Sequence, residues 1–320
     1  MFHTLMHTPP RRLALIDLGT NTFHLLIVEM PATPGEKPLP LLRTKAGVRL
    51  GEGGISQGVI APEAYARALH TLAGFREEIE LHAVTEVRAT ATSAMRVTQN
   101  GPDLVRDIFE QTGIRVEVIP GEREAELIWE GVRQAVDLGA EPQLIMDIGG
   151  GSVELIIASQ ATIFWKQSFE IGAQRLLDKF FPDPSGVMPA AAVAAEQEYL
   201  GSVLAPFLET ARRYRPVGLV GASGSFDSLA DMQLGRLRTE ADLPPCTELA
   251  LSSFQQSYRH LLSGNHEQRM ALPGILPMRA DMLVVASVLI DFVLGITEIT
   301  RLRTSAYALK EGLLAEILAA

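Results

Sequence analysis

Residues 144–155 read LIMDIGGGSVEL: an apolar run ending in Asp147, three glycines, the hydroxyl of Ser152, and a second apolar run carrying Glu154. A near copy, LALIDLGTNTFHLLI, lies at 13–27 and places Asp17, Gly19, Thr20, Asn21 and Thr22 in its turn. Between two stiff strands, Gly149, Gly150 and Gly151 can take φ > 0 and let a ligand approach the backbone. Successive N–H groups in such a turn form a concave anion site. An aspartate at its lip can hold a metal or a water. The competing reading is a tight hairpin turn with one surface aspartate. A third acidic stretch, VIPGEREAELIWEGV (118–132), sets Glu122, Glu124 and Glu126 just after Gly121, at the start of a helical pattern. Acids there gain about 0.3–1 kcal/mol from the helix dipole alone, whatever else they do.

The elements that hold these turns can be read from periodicity and punctuation. Strands are expected at 13–16 and 23–30, then a Pro-rich connector at 31–40 and a third strand at 41–50. A helix is expected at 62–81 with Pro62 at its start. A strand at 84–89 leads into TATSAMR, and a helix opens at Gly101 and stops at Gly113. After a strand at 115–119, Gly121 opens a helix to about 138. The second half repeats the opening: a hairpin at 144–158 and a strand at 162–169. Helices at 172–181 and 190–214, a strand at 217–222, GASGS and another helix follow. The pattern predicts two related α/β halves, one at 11–131 plus 304–320 and the other at 132–303, facing each other across one cleft.

With 320 residues and 47% apolar content, the chain can bury substantial cores. Its single cysteine, Cys246, excludes an intramolecular disulfide framework and points to a reducing, cytoplasmic setting. The net charge of −10 argues against a general nucleic-acid binder. The start, MFHTLMHTPPRR, shows no apolar signal region. The longest apolar stretch, 282–296, falls short of the roughly 20 residues a bilayer span needs and contains Asp291, so it reads as a buried helix. No membrane partner is expected.

The paired DLGTNTFHLLI (17–27) and DIGGGSVELII (147–157) resemble the two phosphate loops of the actin-like ATPase superfold. RATATSAMRVTQNG (88–101), VIPGEREAELIWEGV, EQRMALPGILPMRAD (267–281) and SAYALKEGLL (305–314) narrow the resemblance to the exopolyphosphatase / guanosine pentaphosphate phosphohydrolase family, over about 13–316. GEREA has fewer consecutive acids than the family's usual pattern, and RVTQNG lacks its small-and-acidic step. No His-Asp dipeptide occurs, so the HD-type domain of longer members is not expected. The resemblance implies an α/β fold of two actin-like (ribonuclease H-like) domains flanking a central cleft, in a short two-domain member.

That family's chemistry assigns expected roles. Glu124 is the expected general base. N–H groups of Gly19, Thr20, Asn21 and Thr22, and of Gly149, Gly150, Gly151 and Ser152, would cradle phosphate oxygens. Arg96 offers a bidentate fork to the same group. Asp17, Asp147 and Glu154 are hard oxygen ligands suited to Mg²⁺ or another divalent cation. Arg49, Lys166, Arg175, Arg269, Arg279 and Arg303 are candidates for a chain-binding channel, and His24 is expected to pack beside the first turn. The expected activity is Mg²⁺-dependent release of terminal orthophosphate from inorganic polyphosphate. Guanosine pentaphosphate, which presents the same terminal anhydride, is the alternative substrate. GASGSFDSLA (221–230) sits where actin-like proteins hold adenosine, which keeps a nucleotide-dependent kinase or a non-catalytic ATP-binding module as a rival of another class. A homodimer is an expected assembly, since an interface could extend a channel for a long polymer.

Overall fold

The computed structural model describes residues 10–33, 36–239 and 244–319. Most of the MFHTLMHTPPRR start (1–9) and two residues of the Pro-rich connector (34–35) lie outside the described residues.

Two sheets carry the same strand order. β1 (Arg12–Leu18) and β2 (Phe23–Glu29) pair antiparallel around the first turn, and β3 (Leu39–Ala46) adds antiparallel to β2. β4 (Glu86–Ala91) and β5 (Val116–Val118) add in parallel on the other side of β1, giving β3-β2-β1-β4-β5. In the second sheet β6 (Gln143–Ile148), β7 (Val153–Ala158) and β8 (Ile163–Phe169) form the antiparallel meander. β9 (Leu219–Ala222) and β11 (Leu302–Ser305) extend it in parallel, and β10 (Cys246–Leu249) closes the far edge antiparallel. The run β8-β7-β6-β9-β11 repeats β3-β2-β1-β4-β5, so the chain folds as two actin-like halves.

Each sheet is covered on both faces. Ala14, Ile16 and Leu18 of β1 pack in a core with α1 (Pro62–Leu81) and α3 (Gly101–Thr112). Leu13 and Leu15 point the other way, under Leu313, Leu314 and Ile317 of α12 (Leu309–Ala319). On β6, Leu144, Met146 and Ile148 enter the largest core, with α5 (Ala173–Phe180), α6 (Ala190–Val203) and α11 (Met282–Thr297). Ile145 points instead to α4 (Gly121–Ala135). The expected boundary at Gly131 thus falls inside a helix whose buried face lies on the second sheet, while α12 lies on the first.

α4 and α12 cross in close contact between the sheets. A methyl group on Gly131 would land on the Ala308 carbonyl, and one on Gly312 on the Leu127 carbonyl. Backbone cannot yield as a side chain can. Gly131→Ala and Gly312→Ala are therefore expected to destabilise by roughly 1–3 kcal/mol or more. Gly74→Ala on α1, where a methyl meets nothing within 4 Å, should instead stabilise by about 0.5–1 kcal/mol. Denaturant midpoints check the three together, and equal midpoints would refute the crossing.

Some expected elements differ from the structure. The third strand stops at Ala46, because 47–58 folds back over the first turn, where Arg49 and Gly51 N–H donate to the Asn21 and Thr20 carbonyls at 2.8 and 3.0 Å. The expected helix at 190–214 is two helices, α6 and α7 (Ala205–Tyr214). Pro206 cannot donate to the preceding turn, so the helix restarts there. β10 and β11, four residues each, are too short to show a period. The stretch at 282–296 forms α11, buried all round from Met282 to Ile290 and reaching solvent at Gly295 and Ile296, and no helix among the described residues is long and apolar enough to cross a membrane.

Candidate active site

Strand parity places the acids. Asp17 shares the face of Leu13 and Leu15, which lies under α12, and Asp147 shares the face of Ile145, which lies under α4. Both sit at the C-terminal ends of the inner strands, and both line one pocket between the halves. Glu154 is the direct cross-strand partner of Asp147, so two acids seven apart in sequence are neighbours on one face. Glu154 is fully buried and accepts from Ser168 Oγ at 2.6 Å.

The two turns meet across the cleft. Gly19, Thr20, Asn21 and Thr22 line the same pocket as Gly149, Gly150, Gly151 and Ser152. None of the four glycines has φ > 0, contrary to the sequence expectation. Space decides them instead: a methyl on Gly150 would strike the Asn21 side chain, and one on Gly151 would strike Ser93 Oγ. Asn21 Nδ2 donates to Met282 Sδ at 2.9 Å, while its buried Oδ1 has no hydrogen-bond partner among the described residues. A buried orphan acceptor in a pocket is a place for a ligand or water.

The helix acids separate by direction. Glu122 has 79% of its side chain exposed, and Glu126 pairs with Lys166 at 2.6 Å. Glu124 alone turns inward and lines the pocket. Its Oε2 accepts from Arg96 Nη1 at 2.9 Å. Burial pushes its carboxyl up to about 8, against the pull of Arg96 and with a further push from Asp147 and Asp17. Burial likewise raises Asp17 to about 7, opposed by the Lys310 charge, and Asp147 to about 6, opposed by the Ser223 hydrogen bond. Glu154 is raised by burial and by its neighbours Glu124 and Asp147. Three desolvated carboxyls, Asp17, Glu124 and Asp147, line this pocket, and Glu154 does not line it but lies buried beside Asp147; such a concentration of raised carboxyls in a cleft makes it the candidate site.

The other expected residues divide. Arg96 does not line the pocket; it is shared between Glu124 and Glu170, at 2.9 Å each. Arg279 lines the pocket and donates to the Gly224 carbonyl at 2.7 Å. Arg175 Nε donates to the Gly151 carbonyl at 2.9 Å. The remaining channel candidates hold the fold together. Arg49 pairs with Glu52, Lys166 with Glu126, the fully buried Arg269 with Asp281, and Arg303 holds the Asp137 carbonyl and Gln143. His24 lines the pocket, and burial holds its ring neutral by lowering its pKa well below the usual value.

Ser223, Lys310 and Glu170 were not anticipated as part of this site. Ser223 Oγ donates to Asp147 Oδ2 at 2.7 Å from the start of α8 (Ser223–Leu234), with φ of 68°. The parallel pairing of β9 with β6 brings it there, and the GASGS turn was its only sequence signal. Lys310 pairs with Glu311 at 3.1 Å, and its charge favours ionised Asp17.

A sequence model of the Ppx/GppA phosphatase family matches residues 31–320. The structure is similar to that of an exopolyphosphatase from Cytophaga hutchinsonii, at 42% identity over 97% of this chain and 98% of that one, with a TM-score of 0.90. An Aquifex aeolicus PPX-GPPA enzyme shares the fold, at 22% identity over 96% and 100% of the two chains and a TM-score of 0.78. An exopolyphosphatase-like protein does so at 24% identity over 97% and 98%, with a TM-score of 0.81.

Proposed function

The chain belongs to the Ppx/GppA phosphatase family, whose members hydrolyse phosphoanhydrides, and from that premise we propose a divalent-cation-dependent exopolyphosphatase that releases terminal orthophosphate from inorganic polyphosphate. One observation carries the reading: a single buried helix acid, Glu124, shares a pocket with two facing N–H turns and two strand-end aspartates. The 42% identity to a protein named as an exopolyphosphatase favours polyphosphate. Guanosine pentaphosphate remains the alternative substrate, because its terminal anhydride asks for the same groups. A kinase or an ATP-binding module is less well supported, since a sugar kinase takes its base from an aspartate in a distinct motif and a module that only binds ATP needs no buried acid at 124.

In this mechanism the turns at 19–22 and 149–152 bind the terminal phosphoryl oxygens through backbone N–H groups. Glu124 accepts a proton from the attacking water, and Arg96 orients Glu124 through their ion pair. Phosphoryl transfer rests on such positioning and charge stabilisation. The donor set fits a divalent cation. Asp17, Asp147 and Glu154 are hard carboxylates, and the orphan Asn21 Oδ1 is a further oxygen. Among the described residues no group of three acidic, His or Cys side chains could hold an ion alone. Mg²⁺ would take one or two of these carboxylates and keep several of its waters. When bound, it would neutralise phosphoryl charge.

Orthophosphate release from long-chain polyphosphate and from guanosine pentaphosphate, each with Mg²⁺ and with excess chelator, tests the proposal. Release from polyphosphate is expected to be the faster and to stop in chelator. Asp147→Asn is expected to need more Mg²⁺ for both half-maximal activity and thermal stabilisation. Faster release from guanosine pentaphosphate would select the alternative substrate. ADP-dependent ATP formation without release would select the kinase. Full activity in chelator would remove the metal.

A further inference from the structure

Glu170 stands in the bend between β8 and α5, in the second half of the molecule. Its two oxygens take three donors from both sides of the cleft. Ser93 Oγ donates to Oε2 at 2.5 Å and Arg96 Nη2 to Oε1 at 2.9 Å, both from the first half. Arg175 Nη2, from its own half, donates to Oε2 at 3.4 Å. Of the donors' remaining bonds, two go to the Ile119 and Ile55 carbonyls and the others lead to the catalytic machinery. Arg96 Nη1 holds Glu124, Arg175 Nε holds the Gly151 carbonyl, and Ser93 Oγ fills the space that a side chain on Gly151 would need.

The exposures are unequal. The side chains of Arg96 and Arg175 are 17% and 20% exposed, whereas that of Glu170 is 37% exposed. The donors are built in and shielded, and the acceptor is the part that water can reach. An ion pair with one solvated partner is worth little, so its displacement costs little. Two guanidinium forks and a hydroxyl are also the donors that a phosphoryl group takes.

We propose that Glu170 is an internal competitor of the substrate. It occupies Ser93, Arg96 and Arg175 while the cleft is empty, and a phosphoryl group of the entering polyanion replaces it. No bond is made or broken; one anion exchanges for another. The inference rests on the proposed polyanionic substrate, and it gives Arg96 a phosphate contact beside its ion pair with Glu124. It makes Glu170 a positioning residue that sets affinity rather than chemistry.

Calorimetric binding of tripolyphosphate in chelator tests it without turnover. Glu170→Gln and Glu170→Ala are expected to bind about tenfold more tightly than the parent, the scale of one charge-assisted hydrogen bond. KM for polyphosphate should fall with kcat held. Asp178→Asn is the control. Asp178 also bridges the halves, accepting from Ser56 Oγ at 2.7 Å, and its other hydrogen bond, at 2.8 Å, comes from Gln174 Nε2. It should change affinity by less than about twofold, because its hydrogen bonds go to Ser56 and Gln174 and not to the two guanidinium groups. In an Arg96→Ala background, Glu170→Ala should bring no gain. Unchanged or weaker binding in both Glu170 variants overturns the proposal, and so does a gain that survives Arg96→Ala or is matched by Asp178→Asn. The activity reading fails separately. A parent that releases no phosphate from polyphosphate, with variants that still gain tripolyphosphate affinity, refutes the substrate and leaves Glu170 a competitor.

Discussion

Glu124→Gln is expected to fold, to bind polyphosphate, and to lose turnover by about 10²–10⁴-fold, roughly 3–5 kcal/mol of barrier. The amide keeps the reach of the acid and can still accept from Arg96, but it cannot take a proton from water. Glu122→Gln is the control, because it shares the helix end while its side chain is 79% exposed. If the acids of this turn served only the helix dipole, either change would cost about 1 kcal/mol of stability or less and leave kcat in place. The pH profile gives a second readout. Burial raises the Glu124 carboxyl to about 8 in the cation-free cleft. The fraction able to act as a base rises with pH, so kcat/KM should rise to a limb at or below about 8, since a cation can only lower it. Glu124→Gln should erase that limb. A kcat change below about tenfold would rule out general-base catalysis from this helix.

Glu196→Met is expected to stabilise the protein by several kcal/mol at pH 8 and by little at pH 5. Glu196 lies on α6, fully buried, and neither carboxylate oxygen has a hydrogen-bond partner among the described residues. Burial raises its pKa from the ordinary 4.5 to about 9. Tyr258 on α9 (Leu251–Ser263), which interacts with Glu196, is raised as well and supplies no positive charge. The sign follows from linkage. Below 4.5 both folded and unfolded chains hold the proton and nothing is lost. As pH rises from 4.5 to 9 the unfolded chain releases it first, and stability falls by about 1.4 kcal/mol per unit. Methionine cannot titrate and suits the apolar surroundings, so its advantage should widen across that window. The active-site carboxyls titrate in both proteins and cancel in the difference. Denaturant unfolding at pH 5, 6.5 and 8 checks this, and a constant offset would show that Glu196 is not held neutral.

The sequence by itself determined what is local or repeated. Apolar runs broken by acid, glycine and hydroxyl identified both hairpins, because strand pairing and turn chemistry act over a few residues. Their duplication predicted the two actin-like halves, and the pairing order of the two sheets repeats it. The spacing of Asp147 and Glu154 was also within reach: a hairpin closed by the Gly149 N–H to Ser152 carbonyl bond sets them opposite each other. Tertiary structure decided the rest. Three acids in one helical turn are equivalent until β8 covers one side of α4; then Glu126 meets Lys166 and Glu124 is left facing the cleft. Two of the three glycines are explained by the opposite half, where Asn21 leaves no room for a side chain on Gly150 and Ser93 none on Gly151. The sequence offered Arg96 as a phosphate fork, and only the fold shows it divided between Glu124 and Glu170, 28 and 74 residues away. Such contacts have no sequence period, because they form between elements that meet only after each sheet has assembled and α4 and α12 have crossed between them.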